Sequence, residues 1–364
     1  MIITVLGAGH GGQAMAADLS LAGHQVRLAA VPEHSTNIKL LNVFGGIVSE
    51  GVTSSGAEPG FAKLDMITTD VEGALRGAEV IMVVVPAFGQ DVYMDYIIKY
   101  GESGQIVVFN PGKFASLVFA NKLTQNSRKN DFLFGETSCL LYAAKTKGIG
   151  HVNIKVVKSA LPFAAFPSHN TASVLWRLLD IFPQLTPSFN VLETSLNDPG
   201  MIIHPVSTLM NMSRIEHMGP YRTSYYDISP SVGRIMEAVD SERVEIARVL
   251  CYETMSFLQV AELMYKIKAA SVYEAEIQVT AHKVQMAPDS LTHRYVSEDI
   301  PFGLVAVSNF GDILGIDTPA IDAMINIASI ANQTDYRETG RNLKSLGIDG
   351  LSKEELLRHV TEWK

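Results

Sequence analysis

The sequence predicts an α/β protein whose N-terminal domain is built on a parallel sheet and whose C-terminal domain is all-helical. Three observations lead there. Short apolar runs recur through the first half, at 2–6, 80–85 and 106–109, as strands buried on both faces require. The first of them, Ile2-Ile-Thr-Val-Leu6, runs straight into Gly7-Ala-Gly-His-Gly-Gly12 and then into Ala14, Ala17 and Leu21 at helical spacing. Beyond about residue 185 helical periodicity takes over.

Gly7, Gly9 and Gly12 fit G-x-G-x-x-G. In that pattern the first glycine makes the tight turn, the second lets backbone approach a pyrophosphate, and the third lets the helix pack closely on the strand. Phosphates sit on the exposed N–H groups of such a helix. A glycine triplet alone is weak, since any tight strand-to-helix turn uses one. Here a strand precedes it, Gly23 closes the helix, and a second β-run, Gln25-Val-Arg-Leu-Ala-Ala-Val31, follows at once. The first half therefore reads as a Rossmann-type dinucleotide-binding domain, with Gly7, Ala8, Gly9, His10, Gly11 and Gly12 on the cofactor.

The end of the second strand is where such a fold distinguishes its cofactors. An acidic residue about 20 positions past the glycines holds the ribose 2′-hydroxyl of NAD. Here the position 23 residues after Gly7 is Ala30. Glu33 lies close enough to reach a ribose, while Arg27, His34, Ser35 and Thr36 suit the 2′-phosphate of NADP. The cofactor is NADP or NAD, and the balance of residues leans to NADP; a plain polar turn at 32–36 is the bland alternative.

Between 42 and 70, glycines and short β-like runs (46–51, 66–69) predict a hairpin insertion that returns to the sheet. The run 79–86 reads as the central strand, ending at Pro86. Ligands of open α/β sheets bind beyond the carboxyl ends of strands, so Pro86, Ala87 and Phe88 are expected on the nicotinamide-ribose side, unless Pro86 only stops the strand. Glu136 and Thr137, at another strand end, are cofactor or substrate candidates, with turn chemistry as the alternative. Helices are expected at 117–123 and 171–182 and strands at 140–146, 151–157 and 160–166. The domains are set at 1–185, for the dinucleotide, and 186–364, for substrate and dimerisation. In the helical half, Ser241 reads as an N-cap of a long helix, Thr318-Pro319 as a cap with proline at the first helical position, and Ser352-x-x-Glu355 as a capping box.

The chain has 364 residues, 47% hydrophobic and 18% charged, which suits two ordinary domains and excludes a disordered one. A net charge of −9 speaks against a nucleic-acid partner. No apolar run approaches the ~20 residues that span a bilayer, and the N-terminus lacks a signal-peptide pattern. Cys139 and Cys251 lack metal-ligand spacing and read as buried thiols in a reducing compartment. No metal site is expected, and the expected location is cytoplasmic.

One histidine stands out in the second half. His204, in Asn197-Asp-Pro-Gly-Met-Ile-Ile-His204-Pro, sits among apolar residues, where the ordinary reading is a hydrogen-bonded core side chain. A nicotinamide enzyme that reduces C=O or C=N, however, must deliver a proton as hydride arrives, and histidine titrates near neutral pH. A carboxylate would fix its tautomer, and Asp299 is one candidate.

With these residues in view the chain resembles the opine dehydrogenases, especially the bacterial N-(1-D-carboxyethyl)-L-norvaline type, whose helical half is like the C-terminal domain of 6-phosphogluconate dehydrogenase. The resemblance rests on the glycine turn, Val84-Val-Pro-Ala87, Asn110-Pro-Gly112, Gly135-Glu-Thr-Ser138, His204-Pro205, Ser229-Pro-Ser-Val-Gly233, Asp240-x-Glu-Arg243, Arg294-Tyr295, Glu298-Asp299 and Gly340-Arg-x-Leu343. It implies reductive condensation of an amino acid with a 2-oxo acid such as pyruvate, using NAD(P)H, with His204 as acid/base and Asp299 as its partner. A guanidinium suits bidentate capture of a carboxylate, so Arg294 is a substrate-binding candidate; pairing with Glu298 or Asp299 is the alternative. Asn197 is a second substrate candidate, with helix capping as its alternative. The norvaline type carries an acid where this chain has Ala30. Tyr221, Tyr225, Tyr226 and Met236 are candidates for the amino-acid pocket or for core. A homodimer through the helical half is expected. The competing readings are a 2-dehydropantoate or glycerol-3-phosphate type carbonyl reductase, which characteristically places a lysine where this chain has His204, and a non-catalytic dinucleotide-binding sensor.

Overall fold

The computed structural model describes residues 1–218, 228–279 and 286–364. Tyr221, Tyr225 and Tyr226 lie outside the described residues. Two compact units form: 1–195 together with 358–364, and 196–357.

The first unit contains strands β1 (Ile2–Leu6), β2 (Gln25–Ala29), β3 (Gly46–Gly51), β4 (Phe61–Lys63), β5 (Met66–Thr68), β6 (Val80–Val83), β7 (Ile106–Phe109), β8 (Leu133–Thr137), β9 (Tyr142–Gly148), β10 (His151–Val157), β11 (Leu161–Phe166) and β12 (Leu185–Pro187). The main sheet has eight strands in the order β12-β11-β8-β7-β6-β1-β2-β5, parallel except where β11 meets β8. β6 and β7 are buried along their whole length, which is why their sequences are continuous apolar runs rather than alternations. Register decides where the site forms. Leu6 lies opposite Ala29 and Val83, Val83 opposite Phe109, and Phe109 opposite Glu136. The turns after β1, β2, β6, β7 and β8 therefore gather along one carboxyl edge.

The insertion supplies β3 and β4, which join β10 and β9 in a four-stranded sheet, while β5 returns to the edge of the main sheet. Asp18 ties this insertion to the helix His10–Leu21. Its buried carboxylate accepts from the Tyr142 hydroxyl at 2.7 Å, Ser54 N at 2.8 Å and Ser54 Oγ at 2.5 Å. Burial, reinforced by Asp18, pushes the Tyr142 hydroxyl well above its usual range. A short 3₁₀ turn at Pro32–His34 occupies most of the segment 32–36, and a helix, Thr36–Phe44, follows it.

The chain divides after Ser195 rather than after residue 185. The reason is that β12 pairs with β11, and the next helix, Val191–Leu196, keeps Ser195 bonded to Glu136 within the first unit. The last residues also belong there. Trp363 packs edge-on against Phe134 and Phe166, each 5.5 Å away between ring centres, and its carbonyl accepts from Lys129.

In the second unit the helix Pro230–Val249 carries a buried ion pair. Arg243, 1% exposed, donates to Asp240 at 2.6 and 3.1 Å and to the carbonyls of Leu196 and Met255, while Asp240 accepts from Phe257 N at 2.7 Å. This helix is capped by Ser229 with Pro230 in its first turn, so Ser241 lies mid-helix, its hydroxyl turned back to the Ala238 carbonyl. Thr318 makes no side-chain cap either; Glu242 caps Pro319–Ala331 instead, accepting from Ala320 N at 2.8 Å and Ile321 N at 2.9 Å. Ser352 and Glu355 do form the reciprocal box, at 2.8 and 3.3 Å. Met236 is fully buried core. Cys139 is partly exposed and Cys251 exposed, so neither is the buried thiol expected. No described helix is long and apolar enough to cross a membrane.

Trp363→Ala should lower the unfolding free energy of the first unit by about 3 kcal/mol, measured by urea denaturation. An unchanged midpoint would mean the terminal packing contributes nothing.

Candidate active site

Gly7 and Gly12 meet the steric conditions set by the sequence. Gly7 has φ +109°, and a Cβ there would stand 2.4 Å from Val85 Cγ1 and 2.5 Å from the Val84 carbonyl oxygen. At Gly12 a Cβ would lie 1.8 Å from the Gly7 carbonyl oxygen. At Gly9 it would meet nothing within 4 Å, so this backbone faces open space. Gly11 lies against Leu140 and Val84. The helix that follows, His10–Leu21, has no acidic residue in its first turn and no side-chain cap at Gly9. His10 is exposed, and the Ala8 carbonyl accepts from Gln13 Nε2 at 2.9 Å and Asn37 Nδ2 at 2.8 Å, which holds the turn in shape. An uncapped helix start beside exposed glycine backbone fits a pyrophosphate.

Beyond β2, Ala30 is buried and Glu33 and His34 are exposed. Arg27 points elsewhere, donating to the carbonyls of Ala74 at 3.2 Å and Arg76 at 2.5 Å. β6 ends at Val83, and Pro86 is the N-cap of Ala87–Tyr100. Ala87 is buried. After β7, Asn110 is buried with Oδ1 lacking a hydrogen-bond partner, an unsatisfied acceptor at the edge where a dinucleotide binds.

Glu136 is placed differently from the cofactor contact expected of it. It is fully buried, and its carboxylate accepts from Phe114 N at 3.1 Å, Ser116 N at 2.7 Å and the Ser195 hydroxyl. Lys113 and Phe114 stand in the left-handed region, φ 53° and 65°, a conformation that costs about 1 kcal/mol or more per non-glycine residue. Glu136 offsets that cost by bonding the start of the helix Ala115–Gln125. Turn chemistry, the alternative reading, accounts for it.

In the helical unit His204 lies on Gly200–Leu209 and Asp299 just before Ile300–Leu304. His204 Nδ1 and Asp299 Oδ2 are 2.9 Å apart, with the imidazole side chain 22% exposed and the carboxylate 4%. Tyr295 stacks on the imidazole, ring centres 3.9 Å apart and planes within 6°. Gly200 leaves room for that ring: a Cβ there would be 3.2 Å from His204 Cε1. An ionised carboxylate only accepts, so the proton between the two sits on Nδ1. Tyr295 entered the sequence reading only as the neighbour of Arg294. The signal available for Gly200 was its spacing of one helical turn before His204.

Arg294 pairs with Glu298 at 3.7 Å while its side chain stays 55% exposed. Burial works to lower its pKa, but the carboxylates of Glu298 and Asp299 outweigh that and raise it. Asn197 is half-buried, and its Oδ1 accepts from Met255 N at 3.4 Å, so that oxygen serves the chain. No metal-binding cluster of His, Cys, Asp or Glu occurs among the described residues.

A parallel sheet with this turn and a helical second unit define an NAD(P)-dependent oxidoreductase. The family model for the NAD/NADP octopine/nopaline dehydrogenase α-helical domain matches residues 187–332. An opine dehydrogenase of Arthrobacter sp. (strain 1C) is 33% identical over 348 residues, covering 96% of this chain and 95% of that protein. An octopine dehydrogenase solved with NADH and L-arginine superposes with a TM-score of 0.80 at 18% identity, covering 98% of each chain. A ketopantoate reductase from Ralstonia eutropha JMP134 gives a TM-score of 0.61 at 17% identity, covering 92% of this chain and 99% of that one. The chain belongs to the opine dehydrogenase family. It is an enzyme of reductive condensation, joining an amino acid to a 2-oxo acid.

His293, edge-on to Tyr295 at 4.6 Å, has its pKa lowered from 6.5, first by burial and then by the Arg294 charge. The unfolded chain therefore takes up the proton more readily. Stability from this group is present above pH 6.5 and drains as pH falls through the lower folded value. As pH falls below 6.5 the urea midpoint should fall, and fall less steeply in His293→Phe; equal slopes would refute this.

Proposed function

We propose that His204 is the acid/base of the condensation, that Asp299 and Tyr295 fix its imidazole, and that Arg294 holds a substrate carboxylate. The carrying observation is the Nδ1–Oδ2 contact of 2.9 Å combined with a partly exposed imidazole. When bound, NAD(P)H supplies the hydride. The protein's own work is proton handling. The amine nitrogen attacks C2 of the oxo acid, and the carbinolamine formed must lose its oxygen as water. Nε2 can take a proton from the nitrogen and deliver one to that oxygen, while Asp299 stabilises the imidazolium between the two events. Stacking on Tyr295 favours the same cation and holds the ring plane. Arg294, half exposed, presents its fork for bidentate capture and so aims C2.

The cofactor reading leans to NADP, because Ala30 leaves the second strand end without the acid that holds a ribose hydroxyl. The substrate and dimerisation role is assigned to the helical half, with a homodimer formed through it. A cytoplasmic location is the accompanying reading, supported by two cysteines that form no disulfide.

NAD(P)H oxidation with pyruvate across a panel of amino acids, with amine-free controls and mass analysis of the product, tests the reaction. Amine-dependent oxidation giving an N-carboxyalkyl amino acid is expected; oxidation that ignores the amine would sink the assignment. His204→Ala should reduce turnover by about 10²- to 10⁴-fold with cofactor affinity intact. Asp299→Asn should lower kcat and shift the pH profile of kcat. Unchanged turnover in His204→Ala would remove the histidine from the mechanism.

A further inference from the structure

A pocket of about 370 Å³ opens beyond the carboxyl ends of β2 and β5, lined by Pro32, Ser35, Ile38, Lys39, Asn42, Thr68 and Thr69. Its position follows from register. Ala29, the last residue of β2, pairs with Thr68, the last of β5, and Ala30 N donates to the Thr68 carbonyl at 3.2 Å. The pocket thus begins where the second strand of a dinucleotide fold delivers the adenosine ribose.

Its lining has one sign of charge. Lys39 is its cation, and no carboxylate lines it. Asp70, next to Thr69 in sequence, is committed to the helix Val71–Leu75, accepting from Gly73 N at 3.0 Å. Glu33, the residue able to reach a ribose hydroxyl, does not line the pocket. The remaining polar groups are three hydroxyls and one amide. Thr68 Oγ1 already accepts from Asp70 N at 2.9 Å, so its own proton is available to donate. Ser35 occupies the N-cap position of Thr36–Phe44 without capping it. Beneath them Ile38 is buried and closes the floor. A lysine with hydroxyl donors and no competing acid suits a phosphate monoester, and the lining lacks the carboxylate that holds a ribose diol in NAD-binding folds.

We propose that this pocket is the subsite for the 2′-phosphate of NADP, with Lys39 as its counter-charge and Ser35, Thr68 and Thr69 as hydroxyl donors. It makes the enzyme NADPH-preferring. The inference rests on the reading that the dinucleotide lies along the carboxyl edge from the glycine turn to β2.

Calorimetric binding of 2′,5′-ADP and 5′-AMP to the full chain isolates the extra phosphate and involves no turnover. The opine assignment can therefore fail without affecting the result. The unmodified enzyme should bind 2′,5′-ADP at least about tenfold more tightly, and Lys39→Ala and Lys39→Glu should remove about 10- to 100-fold of that affinity while 5′-AMP shifts less than about twofold. In turnover the ratio of kcat/KM for NADPH over NADH should fall with it. Equal binding of the two nucleotides, or 2′,5′-ADP affinity unmoved in both variants, overturns the proposal. So does binding of inorganic phosphate, displaced by neither nucleotide, which would assign the pocket to a free anion.

Discussion

The close approach of Gly12 to the carbonyl of Gly7 is the constraint on which the nucleotide half depends. With room for no Cβ between them, the helix His10–Leu21 starts directly on the end of β1, and its unbonded N–H groups open onto the carboxyl edge. Because β1 is central in the sheet, its ends set those of β2 and β6, and through β6 that of β7. The turns at 7–12, 30–35, 84–87 and 110–114 are then carried to one edge by hydrogen-bonded register. Most of what they present there is backbone, which explains why glycine and alanine are the residues that count.

Several carboxylates that resemble catalytic groups on paper are structural ties. Asp18, Glu136, Asp240 and Glu242 all accept from backbone N–H groups or buried hydroxyls, and three of them serve helix N-termini. A buried carboxylate is costly unless its acceptors are filled, so such a group must sit where the chain has N–H groups to offer. His204 and Asp299 differ. There the carboxylate is buried and the imidazole keeps contact with solvent, which is the distribution that a group exchanging protons with a substrate requires.

The second unit organises around Asp240 and Arg243. Their pair joins the middle of the helix Pro230–Val249 to Leu196, Met255 and Phe257, and one residue away Glu242 anchors Pro319–Ala331. The motif Asp240-x-Glu-Arg243 is therefore a packing device, and removing one member would leave the other buried and unpaired, a defect worth several kcal/mol.

Much of this was legible from residue order alone. Apolar runs identify buried strands because a strand covered on both faces can tolerate little else, and the glycine spacing identifies the turn because only glycine fits at Gly7 and Gly12. Element ends and side-chain partners were not legible. Ser241 has the composition of a cap, yet Ser229-Pro230 starts the helix earlier, and Thr318 yields to a glutamate 76 positions away in the chain. Glu136 stands at a strand end as a ligand contact would, and only the fold shows it turned inward to the helix at 115. The stacking of Tyr295 on His204 joins residues 91 positions apart. Local sequence encodes what neighbours along the chain can do, through sterics and periodicity. Which distant group satisfies a buried charge, and which charge is left to meet a substrate, is decided when elements pack and each polar atom must find a partner or retain water.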